Sequence, residues 1–422
     1  MMAVESTPAL ERVNIRLAPL PCGLVIFDTP EAKHGTAFLP QTDPQRVRSA
    51  NDLRNDVLWI SNLSPLEPIT HVYPNLRSDF YFRRKISEIG HDLGIQSSST
   101  GQLDPDDAML LSTFLTRTMT IAARAYGWDV SEMGPMRVTE PYLERDIAKM
   151  QSSPPKPDAR IEATVSRAIT QAYQEFSAPR ISQYDWEPDT VSVTLRFNEV
   201  NYVRQIMNCT VPKGLGWTYI NQGIKLSQKS LMDFCCTRPT IVKATVEWDN
   251  TPSDMVALAA YGMSGNNRGT MRLWLSQPEL LWLSRYATIT IHSFWIDQSG
   301  LDEVNETSQL PSLLRNRPEA ALSYSAGLVA YNHFVGLTNA GWNRDHKTKE
   351  SSAWATWLRA VDRSMMFAMA LSAHKAGFHI ERYGLGSLRV RVHRDKLPAL
   401  KAFKEEFGFM YPDIESLTRE DT

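Results

Sequence analysis

Three groups of residues in this chain have types and spacing that suit chemistry. The first is His379, Glu381, Arg389, Arg391 and His393, polar positions that alternate with Phe378, Ile380, Leu388, Val390 and Val392. Arginines in a row on one strand face suit a phosphate backbone, because a guanidinium keeps its charge and offers five donors. His379, Glu381 and His393 also have metal-ligand chemistry. Glu381 opposite Arg389 reads equally well as a cross-strand charge pair on a solvated face. No aromatic side chain alternates with these arginines, which counts against base stacking there.

The second group is the charged run Asn343 to Lys349 between two helical patterns. Arg344, Lys347 and Lys349 suit phosphate contact, and Asp345 with His346 suits acid–base work. A solvated interhelical turn is the plainer reading. The third is the glycine-rich stretch Gly262 to Gly269. Its backbone N–H groups could cradle a phosphate, but no Lys-Ser or Lys-Thr follows and the next segment has strand character. Arg83-Arg84-Lys85 is too short for a strong nucleic-acid signal. Asp104, Asp106 and Asp107 are better explained as a helix start than as paired catalytic carboxylates.

No nucleophile-elbow or zincin pattern occurs. Cys22 and Cys209 stand alone and Cys235 adjoins Cys236, so neither a zinc site nor a disulfide framework is indicated. The sequence therefore assigns no catalytic, cofactor-binding or metal-binding residue.

The elements that must carry these groups follow from periodicity. Asp104 caps a helix that begins at Pro105 and runs to a Gly127 stop. A shorter helix fits Arg137 to Met150 and another fits Ala159 to Phe176. Between Ser182 and Asp297 the period becomes two: Val191, Val193, Leu195 and Phe197 alternate with polar residues, as do Val242, Ala244, Val246 and Trp248. Beyond it, Pro318 opens a helix to about Asn339. Ser351 or Ser352 caps an apolar one to Gly377. The hairpin 378–393 turns at Gly384-Leu385-Gly386, and a last helix carries Leu397, Leu400, Phe403 and Phe407 to Gly408.

The expected fold class is α+β. Four sections are expected: an extended, proline-punctuated arm over 1–75; a mainly helical section over 76–180 with a linker at 152–158; an antiparallel β-rich section over 181–300; and a helical section with the hairpin over 301–422. The arm rests on Pro8, Pro19, Pro21, Pro30, Pro40, Pro44, Pro65, Pro68 and Pro74, which interrupt almost every apolar run. Leu24, Phe27, Phe38, Leu39 and Trp59 then serve as anchors on a neighbouring subunit.

With 422 residues, 42% of them apolar, the chain can build a sizeable core. A net charge of −2 argues against a global polyanion binder and does little to keep copies apart. No run reaches the length of a membrane span and no signal-peptide pattern is present. Lone cysteines fit a reducing compartment, so a cytoplasmic protein, or a virion assembled in the cytoplasm, is expected. Together with eleven tryptophans, these features point to a self-assembling coat or inner-shell subunit that pairs with copies of itself. The alternative is a nucleic-acid-binding factor that uses Arg389, Arg391, His393, Arg344, Lys347 and Lys349, weakly and without sequence specificity. The third is a cytosolic enzyme whose site carries no familiar motif.

Overall fold

The computed structural model describes residues 22–63, 76–77, 80–82, 84–95, 103–126, scattered positions within 165–172, 189–221, 224–225, 238–247, 270–303, 324–338, 341–343, 348–412 and 414. They form an α+β fold divided into two compact units, Met1–Leu143 and Glu144–Thr422.

The first unit is built on a five-stranded sheet of order β3-β2-β1-β4-β5. Its strands are β1 (Cys22–Phe27), β2 (Gly35–Phe38), β3 (Gln45–Val47), β4 (Leu58–Ser61) and β5 (Leu76–Arg77). β2 runs antiparallel to β1, whereas β4 runs parallel to it. The short pair β6 (Phe80–Tyr81) and β7 (Arg84–Lys85) leads into α1 (Ile86–Asp92), and α2 (Pro105–Tyr126) follows. Every residue of β1 is buried. A strand covered on both sides loses alternation and becomes a continuous apolar run. On one side Val25, Phe27, Ala37, Val47 and Trp59 share a core. On α2, the Thr116 hydroxyl accepts from Cys22 N at 3.1 Å and donates to Cys22 O at 2.7 Å, while Ser112 donates to Phe38 O at 2.7 Å. The Asp104 carboxylate accepts from Asp106 N at 2.9 Å, as its capping position requires.

This sheet corrects the expectation of an extended arm. Pro30, Pro40 and Pro44 lie in the connections between strands, not within them. The prolines limit strand length without preventing a sheet. Leu24, Phe27, Phe38, Leu39 and Trp59 are at most 6% exposed, enclosed in the chain itself, and present nothing to a neighbouring subunit.

The second unit begins with β8 (Thr190–Phe197), α3 (Glu199–Met207), β9 (Thr210–Pro212), β10 (Trp217–Ile220), β11 (Ile224–Lys225), β12 (Thr240–Glu247) and β13 (Thr270–Ser276). It continues through α4 (Gln277–Leu283), β14 (Thr288–Asp297), β15 (Leu301–Glu303), α5 (Tyr324–Thr338), β16 (Gly341–Asn343) and β17 (Thr348–Glu350). It ends with α6 (Ala353–Lys375), β18 (His379–Gly384), β19 (Ser387–His393), α7 (Leu397–Glu406) and β20 (Phe409–Tyr411). Two sheets dominate, one ordered β10-β14-β12-β13 with β11 beside β14, the other β18-β19-β8-β20. Their inner faces share one core with the middle of α6 and with α7: Val193, Val242, Ala244, Phe294, Phe367, Leu388, Val390, Leu400 and Phe403. α6 starts where expected, with Ser352 Oγ accepting from Ala355 N at 3.0 Å.

β8 departs from expectation. It leaves the central β-rich section and pairs antiparallel with β19 and β20. The linker at 152–158, the Arg137–Met150 helix, the 262–269 loop, Cys235, Cys236, Arg83, Arg344 and Lys347 lie outside the described residues. Lys349 is in β17.

Candidate nucleic-acid interface

Pairing fixes which side chains share a face. Val191, Val193 and Leu195 of β8 stand opposite Val392, Val390 and Leu388 of β19 and point into the core. Thr190, Ser192 and Thr194 stand opposite His393, Arg391 and Arg389, and therefore line the other face. On β18 the register slips between Ile380 and Arg382, so Glu381 is the extra residue of a bulge and Arg382 lies opposite Arg389. The result is a polar face of arginines and hydroxyls organised around one carboxylate.

Glu381 accepts from Arg389 Nε at 2.8 Å, Arg391 Nε at 2.6 Å and Ser192 Oγ at 2.7 Å. Burial pushes its pKa up, but the Ser192 and Arg391 hydrogen bonds and the charges of both arginines outweigh burial and hold it below the ordinary glutamate value. Burial, aided by Arg391 and His374, pushes the His379 pKa down against the pull of Glu381. The Arg389 side chain is 51% exposed. With one donor on Glu381 it keeps others for an acceptor in solution. Arg382 is also exposed.

The hairpin tip is held from below. Leu385 and Gly386 form its two-residue turn with φ of 51° and 70°. Positive φ at both central residues defines a type I′ turn, which for leucine is strained. Gly384 is the last residue of β18, so the loop is one residue shorter than the spacing of the two glycines suggests. Asp362 of α6 holds the turn. Its buried carboxylate accepts from Leu385 N at 2.6 Å, Gly386 N at 3.1 Å and Tyr202 Oη at 2.5 Å. A Cβ on Gly386 would lie 3.0 Å from the Tyr202 ring, which leaves glycine the fitting residue there. Beside this latch, Arg363 Nε donates to Glu279 Oε1 at 2.7 Å in a pair whose carboxylate is fully buried. Burial raises the pKa of Asp362, which the Tyr202 and amide hydrogen bonds oppose.

The structure thus brings Arg389, Arg391 and His393 together on one face. Sequence reasoning missed Ser192, Thr194 and Arg382, because the first two come from a strand nearly two hundred residues away. It also missed Asp362, although the single carboxylate of a largely apolar helix is a signal of a buried polar duty. Among the described residues, no grouping of three or more His, Cys, Asp or Glu could hold a metal ion. Among them, too, no helix is long and apolar enough to cross a membrane.

No family model matches this chain, and no curated protein sequence does. Solved structures do match. Phi29 DNA polymerase in complex with single-stranded DNA shares 10% identity at a TM-score of 0.43, covering 88% of this chain and 80% of that one. The same polymerase with primer-template DNA, post-translocation, shares 10% identity at a TM-score of 0.42. Its ternary complex with primer-template DNA and incoming nucleotide shares 9% at 0.41. Both of these also cover 88% of this chain and 80% of that one. Residues 22–61 of the arm on which the coat expectation leaned form a folded sheet, and its expected subunit anchors are buried within the chain itself. The coat or inner-shell reading is therefore withdrawn.

Proposed function

We propose that this chain is a nucleic-acid-binding protein and that the polar face of the β18-β19-β8-β20 sheet makes the contact. The observation that carries this reading is charge placement. Arg382, Arg389 and Arg391 occupy adjacent positions on one face with Ser192 and Thr194 hydroxyls between strands, against the single carboxylate of Glu381. Arginines and hydroxyls are the side chains that position a phosphate backbone, and they do so without reading sequence. Glu381 has a second role here: by fixing two guanidinium groups it lowers the entropy they lose on meeting a phosphate. The Asp362 latch adds rigidity by pinning the turn that sets the hairpin register.

The test is binding of the full chain and its Arg382→Ala/Arg389→Ala variant to a labelled oligonucleotide at fixed salt. Both side chains lie on an exposed face, so the variant is expected to melt like the parent and to bind more weakly. Equal affinity with the fold intact would remove the reading.

A further inference from the structure

The β10-β14-β12-β13 sheet has a second face that lies outside the core shared with the hairpin sheet. Lys243 stands opposite Trp274 on β13 and Ser293 on β14; the next row along this face places Thr245 opposite Arg272 and Thr290. Lys243 Nζ lies 5.8 Å from the centre of the Trp274 ring. Arg272 is exposed, and Lys243, Trp274 and Thr245 are half-buried. At the opposite edge Tyr219 is 46% exposed, with its ring 5.0 Å from that of Trp295. Two carboxylates share this face. Asp297 is committed to the amides of Gly214 and Gly216 at 2.6 and 3.2 Å. Glu247 stands at the far end, opposite Thr270 and Thr288.

This face has what the arginine face lacks, an aromatic ring beside cations: half-buried Trp274 flanked by Lys243 and Arg272, with Tyr219 exposed at the other edge beyond the buried Ser293, Ile241 and Trp295. We propose that it is a platform for single-stranded nucleic acid, on which Trp274 and Tyr219 stack bases while Lys243 and Arg272 meet phosphates. A duplex hides the faces of its bases, whereas a single strand offers them to any aromatic ring, whatever the base. Three strand spacings separate β10 from β13, about 14 Å. The two rings are thus far enough apart to hold different bases of one strand. The positive side chains flank Trp274 directly, where the phosphates of a stacked base would lie. The occupant is a single strand and not a second copy of the chain, because Trp274 stands among the cations Lys243 and Arg272 and the hydroxyls of Thr245 and Ser293 rather than in a continuous apolar patch.

The experiment titrates the full chain with a labelled twenty-residue oligo-thymidine and with a duplex of equal length. Trp274→Ala is expected to weaken oligo-thymidine binding about tenfold, and Trp274→Phe to keep most of it. Duplex binding should be unchanged in both. Arg272→Glu, at an exposed position that tolerates charge, should also weaken the single strand and guards against a misfolded Trp274→Ala. A Trp274→Ala/Tyr219→Ala protein that binds oligo-thymidine like the parent overturns the platform, and so does equal loss of both ligands. The Arg382→Ala/Arg389→Ala variant in the same titration separates the two surfaces. If it alone loses binding, the hairpin reading stands and the platform falls. If only the Trp274 and Arg272 variants lose the single strand, the platform stands without the hairpin.

Discussion

The first unit's sheet and the C-terminal sheet use similar strands to opposite ends. β1 is buried along its whole length, with a core on one side and the hydroxyl-bearing face of α2 on the other. β19 buries every second residue and leaves the alternate ones half-buried or exposed. A strand enclosed on both faces contributes only to stability. A strand enclosed on one face keeps a row of side chains for a partner, and on β19 that row is basic. On the function proposed above, binding therefore falls to the second unit.

Substitutions can break or sharpen that contrast. The largest effect is expected from Val390→Asp, which would put an unpaired charge at a fully buried position and cost about 4 kcal/mol or more. Chemical denaturation reads it directly, and a loss near zero would mean that β19 has no buried face. Next comes Asp362→Asn. The amide lacks the charge that accepts from Leu385 N, Gly386 N and Tyr202 Oη, at a cost of about 2–3 kcal/mol. It should weaken nucleic-acid binding as well, because the hairpin loses its anchor. Gly23→Ala tests the enclosed strand. Its Cβ would lie 2.2 Å from the Trp59 ring, and overpacking of this kind costs about 1–3 kcal/mol. Binding should not change beyond what the lower stability explains; a separate drop in affinity would erase the contrast.

Glu381→Gln has the smallest effect and a defined pH dependence. The folded carboxyl sits below its ordinary value. Its contribution to stability is therefore complete above the ordinary glutamate range and fades as pH falls through the depressed folded value. The melting difference between parent and Glu381→Gln should be largest at neutral pH and close in strong acid. A difference that stays constant would show that Glu381 acts by packing and not by charge.

The same contrast decides what is legible in the sequence. Leu388, Val390 and Val392 alternate with Ser387, Arg389 and Arg391, so the hairpin and the faces of β19 can be read from residue order alone, whereas the bulge that sets Arg382 opposite Arg389 and brings Glu381 to both arginines cannot. β1 offers no alternation to find, and the prolines that close its connections look like breaks in an arm. β8 is legible as a strand, but its partner is not. Nothing local in Ser192 or Thr194 states that β19 lies alongside. The latch is hidden for the same reason, since Tyr202, Asp362 and Gly386 meet only in three dimensions.

The salt dependence of binding tests the central claim most directly. Affinity of the parent and of Arg382→Ala/Arg389→Ala for one duplex would be measured across a range of salt concentrations. If the hairpin face meets phosphates, the logarithmic slope of the variant should be shallower by about 0.9 for each phosphate that it no longer neutralises. A variant that melts like the parent and keeps its slope and affinity would show that nucleic acid, if it binds, binds elsewhere.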